Sequence, residues 1–181
     1  MKAISLSLFL LATGPLLGQT ETTVYVVDKD KDQKITRVEF VNSTETKAQL
    51  NAWDANSDGF VSYDEFTKGV FRTWDRDNNG EIILSEFNDD IPYWYNDIKK
   101  AETFAIWDKN SDGEVHLDEL QDGVKKTGLS LSFYQDINKP LAISDFQERV
   151  YTFWDTDRDG VVSVKEYDSN RGRWVIVKAG S

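Results

Sequence analysis

The chain has 181 residues, of which 32 are acidic and 21 basic, and its formal net charge is −11. Such an acidic protein repels polyanions, which argues against nucleic acid and anionic lipid surfaces as partners. Cysteine is absent and His116 is the only histidine, so disulfides, zinc–thiolate sites and histidine-based catalytic triads are excluded. Aromatic residues reach 13%, which indicates a packed core rather than a disordered acidic tail.

The first eighteen residues are typical of a signal peptide. Lys2 precedes an apolar run from Leu6 to Leu17, which is shorter than the roughly 20 residues that cross a bilayer, and Gly18 offers a small residue at the cleavage point. We therefore expect a signal peptide over residues 1–18, a remaining region of residues 19–181 that is exported into the secretory pathway or secreted, and no membrane span. Cleavage would remove Met1, the only methionine.

Two shorter sequence signals concern the exported protein. Asn42 begins a glycosylation sequon, which is as consistent with a chance tripeptide as with a used site. The final residues, 178–181, do not form an endoplasmic-reticulum retention signal.

A twelve-residue pattern then occurs five times, at residues 28–39, 54–65, 75–86, 108–119 and 155–166. Each copy has oxygen-bearing side chains at positions 1, 3 and 5 and a glutamate at position 12. These residues are Asp28, Asp30, Asp32 and Glu39; Asp54, Asn56, Asp58 and Glu65; Asp75, Asp77, Asn79 and Glu86; Asp108, Asn110, Asp112 and Glu119; and Asp155, Asp157, Asp159 and Glu166.

This donor set suits calcium, a hard cation that takes six to eight oxygens at about 2.3–2.6 Å. Alternate positions 1, 3 and 5 point inward as the backbone curls, and the glutamate adds two oxygens, which favours calcium over octahedral magnesium. Position 7 adds a backbone carbonyl, supplied by Lys34, Phe60, Glu81, Glu114 and Val161. Position 9 acts through water, a role open to Thr36, Ser62, His116 and Ser163 but not to Ile83.

The flanking residues predict a helix on each side of a loop. The residue before position 1 is Trp53, Trp74, Trp107 or Trp154 in four copies, and an apolar residue follows every glutamate. Isoleucine or valine at position 8 predicts a short β-bridge between paired loops. On these residues the chain resembles the EF-hand calcium-binding proteins of the calmodulin-like superfamily, over nearly all of residues 19–181. The resemblance implies an all-α fold of helix-loop-helix units joined by short β-bridges.

Two segments depart from the pattern. Gln33 replaces the glycine expected at position 6 of the first loop, where a positive φ costs a non-glycine residue about 1 kcal/mol. We therefore expect four strong calcium sites and a fifth, weaker one at 28–39. Residues 136–147 keep part of the pattern but have Pro140 at position 5 and Gln147 at position 12. This segment is either a degenerate sixth hand without metal or an ordinary linker.

Spacing bears on how the hands pair. Nine residues separate the 54–65 and 75–86 loops, enough for one helix of about 14 Å but not two. A single helix should therefore leave the first of these loops and enter the second. The predicted pairs are 28–39 with 54–65 and 75–86 with 108–119, which leaves the partner of 155–166 unassigned.

Three uses of calcium fit the sequence. The favoured one is a secreted calcium buffer, carrier or matrix component, which includes a mineral-associated component. Its expected partners are calcium ions and an extracellular matrix or protein partner. A calcium sensor or a secretory-pathway protein that engages a protein partner is the alternative, although residues 19–181, which contain no methionine, are a poor match to Met-rich sensor grooves. A photoprotein-like enzyme is less favoured because His116 lies inside a loop, and we expect no catalytic residues.

Overall fold

The computed structural model describes residues 26–94, 100–127 and 133–174, and the expected signal peptide lies outside these residues. Its helices are α1 (Arg37–Asn42), α2 (Thr44–Asn51), α3 (Tyr63–Trp74), α4 (Leu84–Trp94), α5 (Lys100–Trp107), α6 (Leu117–Thr127), α7 (Ile143–Trp154) and α8 (Val164–Arg171), followed by a 3-10 turn, Gly172–Trp174. The strands are β1 (Lys34–Ile35), β2 (Phe60–Val61), β3 (Ile82–Ile83), β4 (Glu114–Val115), β5 (Leu141–Ala142) and β6 (Val162–Ser163). The predicted all-α fold with short β-bridges is confirmed.

Helix α3 connects two loops directly. It begins within the 54–65 loop and ends at Trp74, immediately before the 75–86 loop. The single shared helix predicted from the nine-residue spacing is therefore present. Within the described part of the chain, no helix combines the length and apolar character needed to cross a bilayer.

The six strands form three antiparallel pairs, β1 with β6, β2 with β5 and β3 with β4. The 75–86 and 108–119 loops pair as expected, but the predicted pairing of 28–39 with 54–65 is wrong. The 28–39 loop instead pairs with 155–166, through Ile35 opposite Val162. Long-range aromatic packing explains this choice, because Phe40 contacts Tyr151, Trp154 and Tyr167 edge-on at centroid distances of 5.2–6.5 Å.

The partner of the 54–65 loop lies in the segment that departs from the pattern. Val61, at position 8, faces Leu141 across the β2–β5 pair. In the other two pairs position 8 faces position 8, as Ile82 faces Val115. Leu141 therefore occupies position 8 of its segment, the position at which a loop starting at residue 136 would have Ile143. The structural register is 134–145, two residues earlier than the expected 136–147.

The core consists mainly of the aromatic residues that flank the loops. The tryptophans before four loops, Trp53, Trp74, Trp107 and Trp154, are at most 1% exposed. The residues that follow position 12 are completely buried, and in the structural register these are Phe40, Phe66, Phe87, Leu120, Phe146 and Tyr167. Each loop is thus held between two buried side chains, which fixes where its ligand atoms lie.

Candidate metal centres

The aspartate at position 1 organises the first half of each loop. Its Oδ2 accepts a hydrogen bond from the backbone N–H of position 6 in all five loops, at 2.9–3.1 Å. In four loops its Oδ1 also accepts from the N–H of position 5, as Asp54 does from Asp58 at 3.1 Å. In the first loop Asp28 Oδ1 accepts from Lys31 instead, at 2.8 Å.

The side chains at positions 3 and 5 continue this arrangement. The position 3 oxygen accepts from the N–H of position 5, at 2.9–3.3 Å. The position 5 oxygen accepts from the N–H of position 7, at 2.8–3.0 Å. Three oxygen side chains in each loop are therefore oriented by the loop's own amides, and each oxygen retains a second lone pair for another partner.

The glutamate at position 12 closes each loop from the other side. Its Oε1 accepts from the N–H of position 2 at 2.8–3.0 Å. Its Oε2 accepts from the N–H of position 9 at 2.8–3.1 Å. Burial raises the pKa of Glu166, but hydrogen bonds from Thr156 and Ser163 outweigh it and lower this pKa to about 2.

Sequence reasoning missed the capping role of position 9. Thr36, Ser62 and Ser163 each cap the following helix and form a capping box with the loop glutamate. In each box the hydroxyl accepts from the glutamate N–H, and the glutamate carboxylate accepts from the N–H of the capping residue. The motif Ser/Thr-x-x-Glu is visible in the sequence, so this role was predictable, whereas position 9 had been given only a water-mediated contact.

Two positions of each loop take a left-handed backbone. Position 6 has φ of 89–93° at Gly59, Gly80, Gly113 and Gly160, and φ of 69° at Gln33. Position 4 has φ of 55–61° at Lys31, Ser57, Asn78, Ser111 and Arg158. The expected positive φ at Gln33 is therefore present, and it carries the steric cost that a Cβ brings there.

Several predicted ligands converge closely. Ligand atoms lie within 4.8 Å of one another in the sets Asp28–Asp30–Asp32, Asp75–Asp77–Glu86 and Asp155–Asp157–Glu166. In the 54–65 and 108–119 loops position 3 is an asparagine, whose Nδ2 donates to the position 5 aspartate at 3.0 and 2.7 Å. These oxygen-only donor sets fit calcium, and fit transition metals poorly because nitrogen and sulfur ligands are missing.

Position 7 places different side chains beside each pair of loops. Glu81 and Glu114 meet across the β3–β4 pair with His116, their ligand atoms within 4.8 Å. A hydrogen bond with Glu81, together with burial, raises the pKa of Glu114. Burial lowers the pKa of His116, but the neighbouring Asp112 outweighs it and raises this pKa above its usual value. At the β2–β5 pair, by contrast, Phe60 lies opposite Ala142.

The match to a known protein family agrees with this geometry. Residues 46–71, which include the whole 54–65 loop, match the model of the EF hand family. Among solved structures, the chain is similar to a homolog of programmed cell death 6 protein from Leishmania major Friedlin, with 16% identity and a TM-score of 0.32, over 80% of this chain and 82% of that chain. No curated protein sequence gives a significant match.

The repeated loops, their flanking helices and the family match over residues 46–71 together support an EF-hand calcium-binding family for this chain.

Proposed function

We propose that the protein is a secreted calcium-binding protein that acts as an extracellular buffer, carrier or matrix component. One observation carries the proposal: in all five loops the loop's own backbone amides orient the oxygens of positions 1, 3, 5 and 12. Calcium bound there would be held by these side chains and by the carbonyl of position 7, as in other hands of this type. Four sites are strong, and the 28–39 site is weaker because of Gln33.

The charge of the chain supports this use. Seventeen of its 32 acidic residues stand at positions 1, 3, 5 or 12 of the five loops. Without residues 1–18 the net charge is −12, and five calcium ions would bring it to about −2. The acidity therefore consists largely of ligands, and the like charges that face one another in an empty loop favour the calcium-bound state.

Secretion rests on the sequence of residues 1–18. Expression of the full chain in a secreting host tests it directly. Intact mass of the protein in the medium should correspond to a chain that begins at Gln19, or close to it. Recovery of the uncleaved chain inside the cells only would contradict secretion.

The alternative is a sensor or a secretory-pathway protein that engages a protein partner. It has some support from apolar side chains on the surface, since Val38 is 67% and Ile106 53% exposed. The family also favours a binding protein over an enzyme, and the loops offer carboxylates and amides rather than an activated nucleophile.

A calcium titration followed by tryptophan fluorescence and circular dichroism separates these functions. Extracellular EF-hand modules bind at about 10⁻⁴–10⁻³ M, whereas sensors bind at about 10⁻⁷–10⁻⁵ M. Binding in the upper range, coupled to a gain in helix and a large rise in thermal stability, supports the extracellular role. Micromolar binding with newly exposed apolar surface supports the sensor. A melting temperature that is the same in calcium and in excess EGTA contradicts both functions.

A further inference from the structure

The two halves of the structure are related by a shift of 80 residues. The loops that begin at 28 and 75 have counterparts at 108 and 155, and the 54–65 loop has its counterpart at 134–145. Helix α7 (Ile143–Trp154) corresponds in the same way to α3 (Tyr63–Trp74). Each half therefore contains three hands, and the β2–β5 pair joins the two hands that are equivalent under this shift.

Within the pair, the 134–145 loop has lost the features that gather an ion. Asp136, Asn138 and Asp145 fall at positions 3, 5 and 12, but Tyr134 stands at position 1. No carboxylate is present there to accept the amides of positions 5 and 6. Ile137 at position 4 and Lys139 at position 6 do not have a positive φ, unlike the residues at these positions in the five calcium loops. The loop therefore keeps the length and register of a hand without its calcium-binding backbone.

Tyr134 instead attaches this loop to its partner. Its hydroxyl donates to the carbonyl oxygen of Val61 at 2.8 Å and lies 3.2 Å from that of Ser62. The residue is 2% exposed, and its ring packs edge-on against Phe66 at 5.5 Å. Neither the hydrogen bond between these neutral groups nor the aromatic contact uses a calcium-ligand side chain, so neither requires a bound ion.

The other pairs each bring together two carboxylate-rich loops, although in the β1–β6 pair Tyr151 likewise donates to the Ile35 carbonyl oxygen, at 3.0 Å. In the β3–β4 pair both loops are rich in carboxylates, and Glu81 lies against Glu114. Docking two empty loops there brings like charges together, at a cost that ions remove. In the β2–β5 pair the 134–145 loop carries only two acidic residues, Asp136 and Asp145, together with Lys139. When it is empty, the acidic 54–65 loop is therefore repelled only weakly by its partner loop.

We propose that residues 134–145 form a sixth hand that binds no calcium, and that Tyr134 holds the 54–65 loop in its paired arrangement before calcium arrives. The 54–65 site then fills first, because less ordering remains to be done on binding. Tyr134 is a positioning residue, acting on the ligands through the Val61–Ser62 backbone. This inference rests on the proposed calcium binding of the five loops.

The position 6 amides allow each site to be followed separately by NMR. The N–H groups of Gly59, Gly80, Gly113 and Gly160 each donate to the position 1 aspartate of their own loop. In a calcium titration of the full chain, the Gly59 signal should respond at the lowest calcium concentration. In Tyr134→Phe the Gly59 midpoint should move about threefold to tenfold higher, the equivalent of one neutral hydrogen bond, and those of Gly80 and Gly113 should not move.

Tyr63→Phe is the matched control. Tyr63 lies beside Tyr134 at a ring-centroid distance of 6.1 Å, but its hydroxyl donates to the carbonyl of Gln121 and not to the loop. The Gly59 midpoint should therefore be unchanged in this variant. A Gly59 signal that does not respond first, or an equal shift of all midpoints in Tyr134→Phe, would overturn the inference while leaving calcium binding intact. If none of the four glycine signals shifts when calcium is added, the proposed function itself is overturned.

Discussion

Trp107 lies directly on the backbone of Gly123. A Cβ at residue 123 would lie closer than 3.0 Å to Cγ, Cδ1 and Cδ2 of the Trp107 indole. Gly69 stands in the same relationship to Trp53, whose Cε3 and Cζ3 would also be closer than 3.0 Å. In both hands the glycine follows the tryptophan by 16 residues. The indole before the loop is thus packed directly against the helix that leaves the loop.

Gly123→Ala should consequently destabilise the protein. Overpacking a filled core costs about 1–3 kcal/mol, although alanine by itself favours the helix. Chemical denaturation with saturating calcium measures the effect. Gly172→Ala is the control, since a Cβ there meets no heavy atom within 4 Å, and it should be neutral or stabilising. Equal stability of the two variants would show that the indole is not held as described.

Gln33→Gly should strengthen the weakest predicted calcium site. The substitution removes the Cβ from a residue at φ of 69°, so binding at 28–39 should tighten by about 1 kcal/mol, or roughly fivefold. Isothermal titration calorimetry can resolve this weakest step. Gln33→Ala keeps the Cβ and should leave the affinity unchanged. A similar gain with alanine would mean that the side chain, and not the backbone conformation, weakens the loop.

Glu86→Gln should remove one calcium ion. The amide is isosteric, so the hydrogen bonds accepted from Arg76 and Ile83 can persist in part, but a neutral amide cannot replace the bidentate carboxylate. The number of ions bound, counted by native mass spectrometry, should fall by one. Glu45→Gln makes the same charge change on the exposed start of α2 and should retain every ion. Full occupancy in Glu86→Gln would contradict the role given to position 12.

The metal-free protein should show an acid transition that involves Glu166. The pKa of Glu166 is lowered to about 2 in the folded chain. Its ionised form therefore stabilises the folded state at pH values above 4.5, the ordinary pKa of a glutamate. That contribution is lost as the pH falls from 4.5 towards 2. Ser163→Ala removes one of the donors, so acid unfolding followed by circular dichroism in EGTA should begin at a higher pH.

The matched control for this substitution is Ser169→Ala. Ser169 lies on the same helix, and its hydroxyl donates to the Lys165 carbonyl rather than to Glu166. The acid transition of the Ser169→Ala variant should coincide with that of the unsubstituted chain. Identical transitions for both serine variants would show that the cap does not stabilise the carboxylate.

The sequence allowed the loops and their flanking helices to be predicted because calcium chemistry fixes the residue type at each position. It predicted the pair of the 75–86 and 108–119 loops correctly, but it did not predict the other two pairs. Neighbouring hands on the chain are the natural candidates for pairing, but the contacts of Phe40 with Tyr151 and Trp154 span more than one hundred residues. The register of 134–145 was missed for a related reason. Tyr134 carries no carboxylate to mark position 1, so the sequence pattern predicts a start at the nearest aspartate, Asp136.

The number of calcium ions bound tests the central claim most directly. Native mass spectrometry of the chain without residues 1–18, titrated with calcium, should show four ions bound strongly and a fifth at higher concentration. The sixth loop should stay empty throughout. Two ions or fewer at saturation would contradict the assignment of the five loops as calcium sites.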